Sequence, residues 1–241
     1  MSYQFDVVTI FGPLMTGYLG GSILGRAANA GRISVRYENP RDHTHDVHKS
    51  VDDGTYGGGA GMLMTPGPLG DAIDAVRARQ PDTRVVLLGP AGRRFDQQIA
   101  EEYAQCGALT LVCGRYEGVD ERIAAHAVDE ELSVGDFVIT GGELAAMTVI
   151  DAVSRLLPGV LGHADAAVGE SFTDLPLLEQ PQYTRPRQWR GHGVPDVLLS
   201  GNHGAVDAWR LEQRIARTKA RRPDLYAKYL AQISAKESDK A

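Results

Sequence analysis

Cysteine is almost missing from this chain: Cys106 and Cys113 are its only two. Their spacing fits no common zinc or redox motif, which argues against a disulfide scaffold or a structural zinc domain. Both read as small buried hydrophobes of a reducing compartment. No apolar run approaches the ~18 residues that a membrane span needs. The opening residues, Met1 to Asp6, lack a basic lead and carry an acid inside the first apolar stretch, which argues against a signal peptide. A soluble cytosolic protein with no membrane partner is expected. Three fingerprints are absent as well. No G-x-G-x-x-G follows the first strand and no G-x-x-x-x-G-K-[ST] exists, so the usual dinucleotide and P-loop readings fall away. No G-x-S-x-G elbow supports a hydrolase.

An excess of positive charge is also lacking, since the net charge is −6. Its distribution matters more than its sum. Residues 1–160 hold 13 basic and 21 acidic residues, whereas residues 161–241 hold 12 and 10. Between Arg185 and Arg222 there are nine basic and three acidic residues. An acidic body with a basic C-terminal region can bind a polyanion through that region. A solvated basic helix face is the competing reading.

What is present is an alternation of short apolar strands and helices over 241 residues that are 43% hydrophobic. Strands are expected at Tyr3–Phe11, Val85–Leu88, Leu109–Cys113 and Phe137–Thr140. Gly89-Pro90 is expected to stop the second of these. Helices are expected at Thr65–Arg79, Gln97–Gln105 behind an Asp96 cap, Val119–Ala127 and Gly142–Leu157. This order predicts an α/β domain with a mainly parallel sheet. Gly162–Asp174, made of small and acidic residues, reads as a linker. Beyond it the strand signal disappears. Ala205–Arg222 reads as an amphipathic helix, Pro223 as a break, Asp224–Ile233 as a last helix, and Lys236–Ala241 as a disordered tail.

Glycine clusters fall where strands end: Gly57-Gly58-Gly59-Ala60-Gly61, Gly89-Pro90-Ala91-Gly92, Gly114-Arg115-Tyr116-Glu117-Gly118 and Gly141-Gly142. One cluster is usually a tight turn. Several at strand ends in one domain suggest backbone brought close to a ligand, at the carboxyl edge where open α/β sheets bind. His43, His45 and His48 could be metal ligands, but they sit in a polar stretch, Pro40–Asp53, that reads as a loop. Trp189 could stack on a base or pack another part of the chain.

Five blocks resemble the bacterial tRNA (guanine-N1)-methyltransferases: Tyr56–Met62, Gly114–Arg122, Ser133–Glu143, Tyr183–Pro186 and Ser200–Gly204. They follow the family order along nearly the whole chain. The resemblance implies a SPOUT-type α/β fold with a trefoil-knotted, mainly parallel sheet flanked by helices and a small helical C-terminal domain. The implied division is 1–161, a linker at 162–174, and 175–241. It implies an S-adenosylmethionine pocket lined by Leu88, Gly89, Pro90, Gly114, Tyr116, Glu117, Gly118, Leu132, Ser133, Val134, Gly135, Asp136, Phe137, Val138, Ile139, Thr140 and Gly141. It further implies a magnesium requirement and a homodimer whose active sites are shared between subunits. The implied substrate is tRNA guanine 37 preceded by another guanine, held by Gly59, Asp174, Glu179, Tyr183, Arg185, Ser200, Gly201, Asn202 and His203. The basic helix adds Arg214, Arg217 and Arg221 as phosphate contacts.

The chemistry of guanine N1 suits such a site. N1 carries a proton at neutral pH, so methylation needs a base, and a carboxylate can serve. Charge then develops toward O6, where an arginine can stabilise it. Glu170 is the expected base and Arg155, at the end of a helix, the expected stabilising cation. Without the resemblance, Glu170 would be a solvated linker acid and Arg155 a cation favoured by the helix terminus. Glu170 and Glu179 each stand where the family usually has Asp. A ribose or ribosomal RNA methyltransferase of the same superfamily is one rival, and a non-catalytic RNA-binding module another.

Overall fold

The computed structural model describes residues 2–162 and 169–238. By Cα proximity the chain divides into Met1–Ala166 and Ala167–Ala241.

The first unit is built on a five-stranded parallel sheet. Its strands are β1 (Tyr3–Val8), β2 (Ile33–Glu38), β5 (Arg84–Arg94), β6 (Ala108–Cys113) and β7 (Glu130–Ser133), in the order β2-β1-β6-β5-β7. A small antiparallel pair, β3 (Asp52–Gly54) and β4 (Met62–Met64), stands apart from it. The helices are α1 (Pro13–Leu19), α2 (Ser22–Asn29), α3 (Pro66–Arg79), α4 (Gln97–Ala104), α5 (Glu121–His126) and α6 (Glu143–Ser154).

Period-two alternation sorts the sheet into two faces. Phe5, Val7, Leu109, Leu111, Val86 and Leu88 pack with α1, α2, α4 and α6. Val8, Val112, Val85 and Leu87 pack with α3 and α5. Burial on both faces explains why these strands read as continuous apolar runs. Asp6 is a charged exception, fully buried on β1. Arg36 on β2 forks onto both its oxygens at 3.0 Å, so the charge is paired where it is desolvated.

Three expectations need correction. Phe137–Thr140 is not a strand. The last sheet strand is β7, just before it, and Phe137 and Val138 lie 57% and 93% exposed in a loop. These apolar residues line a cleft instead of a core. Second, Gly89-Pro90 does not end its strand. β5 continues to Arg94, and Leu88 and Arg93 both pair with Leu132, so residues 89–92 loop out between them. Third, β2, α1, α2 and β3–β4 were not foreseen. Within 40–53, Pro40–His43 forms a 3-10 turn.

The second unit holds a short hairpin, β8 (Gln188–Trp189) with β9 (His192–Gly193), and two helices, α7 (His203–Arg221) and α8 (Pro223–Ser238). Pro223 begins α8 after the Arg222 cap, as its missing N–H requires. α8 runs on to Ser238, so the expected tail begins later than Lys236; its last residues lie outside the described ones. Of the expected linker, 163–168 lie outside the described residues and Gly169–Asp174 is folded into turns.

Candidate active site

A cleft of about 400 Å³ opens at the carboxyl ends of β6 and β7 and beside the looped-out residues of β5. Three segments form its walls: Leu87–Ala91, Gly114–Val119 and Glu131–Gly142. All the expected pocket residues line it except Asp136, whose side chain is 92% exposed and lies 4.0 Å from Arg94.

Glycine is needed where these walls touch. A Cβ on Gly92 would overlap the backbone nitrogen of Leu132. One on Gly142 would stand 2.7 Å from the Cα of Cys113. The Gly142 N–H donates to the Gly114 carbonyl at 3.0 Å, so the two loops are joined backbone to backbone. Gly118, at φ +125, and Tyr116, at φ +60, turn the middle loop.

Beneath that junction lies a charged pair not foreseen as part of the site. Arg115 donates Nε to Oε1 of Glu143 at 3.1 Å, and its Nη2 stands 2.8 Å from Oε2. Its Nη1 donates to the Thr140 carbonyl at 3.2 Å, and the guanidinium lies 4.5 Å over the Phe11 ring. Thr9 adds a hydroxyl donor to Glu143 at 2.7 Å. Glu143 is only 3% exposed, so its charge depends on these partners. The pair therefore clamps the 114–118 and 140–143 segments together. Glu143 directly follows the closely packed Gly142, but nothing local marks Arg115, since a Cβ on Gly114 would meet only Val119 at 3.5 Å. Cys113, beside it, is fully buried, and burial pushes its thiol well above the ordinary range.

The β3–β4 hairpin leans on the middle loop. Met62 accepts the Glu117 N–H at 2.9 Å, and the Met64 N–H donates to Gly118 at 3.0 Å. A Cβ on Gly61 would strike the Glu117 side chain. Gly59, at φ +144, sits on this exposed hairpin tip.

Arg155 is the C-cap of α6, with its N–H on the Asp151 carbonyl at 3.2 Å. In the second unit Glu170 opens a turn whose carbonyl accepts from Thr173 Oγ1 at 3.0 Å. A polar cleft of about 390 Å³ is lined by Gly169, Glu179, Gln182, Asp207, Arg210 and Arg214 among others. Gln182 donates to Glu179 at 2.5 Å. The 200–203 block is largely a helix start. Asn202 caps α7 by accepting from Ala205 N at 3.1 Å, Ser200 accepts from Asn202 N at 3.1 Å, Gly201 sits at φ +70, and His203 is exposed. Tyr183 lies 6.4 Å from the Trp209 ring, and Arg185 is exposed.

Arg214 is the clear departure from expectation. It does not face outward with Arg221; it is 8% exposed and paired with Asp174 at 2.6 Å. Asp174 meets the helix at the level of Arg214, whereas Arg217 is half-buried and Arg221, the last residue of α7, is exposed. Trp189 is 60% exposed with Arg190 4.7 Å over its ring. Among the described residues no cluster of three or more His, Cys, Asp or Glu could hold a metal ion. His43 is instead 2.7 Å from Glu38.

A parallel sheet with a glycine-walled cleft at its carboxyl edge, followed by an arginine-rich helical unit, defines an α/β protein of the open-sheet class. Comparison with known proteins narrows this. Residues 3–228 match the family described as tRNA (Guanine-1)-methyltransferase TrmD, of the SPOUT superfamily, and the chain belongs to that family. It is 52% identical over 237 residues to a tRNA (guanine-N(1)-)-methyltransferase of Anaeromyxobacter sp. (strain K), covering 98% of this chain and 94% of that one. It is 52% identical over 222 residues to one of Geobacter sp. (strain M21), covering 92% and 89%. The Listeria innocua protein of the same name is 49% identical over 228 residues, covering 94% and 93%. No described helix is long and apolar enough to cross a membrane.

Proposed function

We propose that this protein transfers a methyl group from S-adenosylmethionine to N1 of guanine 37 in tRNA. The observation that carries this is the cleft at the sheet edge, walled by the same blocks that place the chain in its family. The residues present fit the cofactor. Leu88, Phe137, Val138, Ile139 and Ala145 offer an apolar wall for a base, and Glu117, Glu121 and Glu131 offer carboxylates for cationic groups. Backbone groups of the three loops supply directional donors and acceptors. When bound, the cofactor supplies a methyl group already activated on a sulfonium. The protein's own task is alignment, proton removal and charge stabilisation.

In this reading Glu170 accepts the N1 proton and Arg155 stabilises charge on O6. Glu179 holds the guanine edge, and Tyr183, Arg185, Arg217 and Arg221 contact the RNA. The magnesium implied by the resemblance finds no ready cluster among the described residues, and no step is assigned to it. A homodimer with shared sites belongs to the proposal. α1 and α6 pack together and leave Leu14, Tyr18 and Leu144 exposed, an apolar face suited to a second copy. The trefoil threading of the superfamily also belongs to it.

The test is product mapping. The protein is incubated with cofactor and a tRNA carrying guanine at 36 and 37, and the digested nucleosides are identified. 1-Methylguanosine at 37 is expected. Ribose methylation, or unmodified RNA, overturns the proposal.

A further inference from the structure

The segment around Glu170 is fastened to α7 at two levels, one helical turn apart. At the first, Arg214 donates Nη1 to Oδ2 of Asp174 at 3.1 Å and Nη2 to Oδ1 at 2.6 Å. At the second, buried Thr218 accepts the Leu178 N–H at 2.8 Å and donates its hydroxyl to the Arg214 carbonyl at 2.7 Å. Between these anchors the chain closes on itself. The Phe172 N–H donates to Leu177 at 3.1 Å, and Ser171 Oγ accepts the Glu179 N–H at 2.9 Å. Thr173 Oγ1 returns to the Glu170 carbonyl at 3.0 Å, and Leu177 is fully buried as the plug. Glu170 and Glu179 thus sit on one hydrogen-bonded ring, with Asp174 between them.

A guanidinium cannot shed its charge, so burying it demands a fixed anion. Asp174 accepts from both terminal nitrogens in a fork that also fixes direction, while the buried Nε has no hydrogen-bond partner. Arg214 hydrogen bonding, opposed in part by burial, holds the Asp174 carboxyl below its usual range, consistent with the pair.

We propose that Arg214 is a positioning residue for methyl transfer: through Asp174 it pre-folds the ring that presents Glu170 and Glu179 to the guanine. This rests on the role of Glu170 given above. It assigns Arg214 and Asp174 to the geometry of the base rather than to contact with RNA.

The test uses the full-length protein with Arg214→Gln, Arg214→Lys and the near-isosteric Asp174→Asn. Amide hydrogen exchange is read at Phe172, Leu178 and Glu179 without RNA or cofactor. Single-turnover methylation is read at saturating cofactor and guanine-37 tRNA. Arg214→Gln and Asp174→Asn should lose protection at these amides, and the rate should fall about a hundredfold, as for a group displaced by about an ångström. The dissociation constant of the cofactor should hold, and saturating tRNA keeps any loss of guanine binding through Glu179 out of the rate. Arg214→Lys, keeping the charge without the fork, should recover part of the rate. Unchanged protection in Arg214→Gln and Asp174→Asn overturns the anchor. Lost protection with a wild-type rate overturns the positioning role. A wild-type protein that leaves N1 unmodified refutes the role of Glu170 in its own arm, which the exchange data do not touch.

Discussion

At the residue scale, the account turns on single atoms. Glu170→Gln keeps the size of the side chain but cannot take a proton at neutral pH. Its kcat should fall by roughly two to four orders of magnitude while both affinities persist, read by rapid-quench methylation and calorimetry. Glu170→Asp should keep substantial activity. Glycine substitutions separate two kinds of closeness. A Cβ on Gly114 meets only Val119, at an ordinary 3.5 Å, so Gly114→Ala should fold normally. A Cβ on Gly141 would overlap the Arg115 guanidinium, so Gly141→Ala should weaken cofactor binding by displacing that clamp. Calorimetry showing wild-type affinity in Gly141→Ala would remove Arg115 from the account. The glycines were legible in the sequence because they cluster. Arg115 and Glu143 were not, because the pairing spans 28 positions and only the folded chain brings them together. The burial of Arg214 is not legible for a related reason: its partner Asp174 lies 40 positions away, and helical spacing does not reveal it.

At the element scale, the fully buried strands and the helices behind caps were readable. Asp96 caps α4 by accepting from Ile99 N at 3.1 Å, as its position before an apolar-periodic run predicts. β2 was readable in principle, since Ile33, Val35 and Tyr37 alternate with Ser34, Arg36 and Glu38. The loop at 134–142 was not, because its apolar side chains line a cleft instead of a core, and periodicity cannot tell these apart. The clamp under that loop is testable by stability. Glu143→Gln leaves Arg115 largely buried with a weakened partner, and breaking such a pair costs about 3–5 kcal/mol. Denaturant unfolding should show a loss near the lower end, since the amide retains one acceptor. The Asp174 pair carries a pH signature. Its carboxyl titrates below the usual range, so its contribution is complete above about pH 4 and fades as pH falls through the depressed value. Carbon-detected titration of Asp174 should move up toward the ordinary carboxylate value in Arg214→Gln. No movement would mean that Arg214 does not set it.

At the scale of the whole molecule, charge is divided as the sequence indicated, with an acidic first part and a basic stretch from Arg185 to Arg222. Inward pairing removes Arg214 from the phosphate-facing set. Neutralising Arg217 and Arg221 should flatten the salt dependence of tRNA affinity by about one unit per contact, whereas Arg214→Gln should leave that slope alone. The central claim is that Arg155 and Glu170 act on one guanine from two copies of the chain. The most direct measurement mixes Arg155→Ala protein with Glu170→Gln protein, lets subunits exchange, and follows single-turnover methylation of guanine-37 tRNA. Each parent should be nearly inactive. In a mixed dimer one site would carry both lesions and the other neither, so random exchange should restore about a quarter of the wild-type amplitude. Mixtures that stay as inactive as their parents, although exchange is shown to be complete, would contradict the shared site.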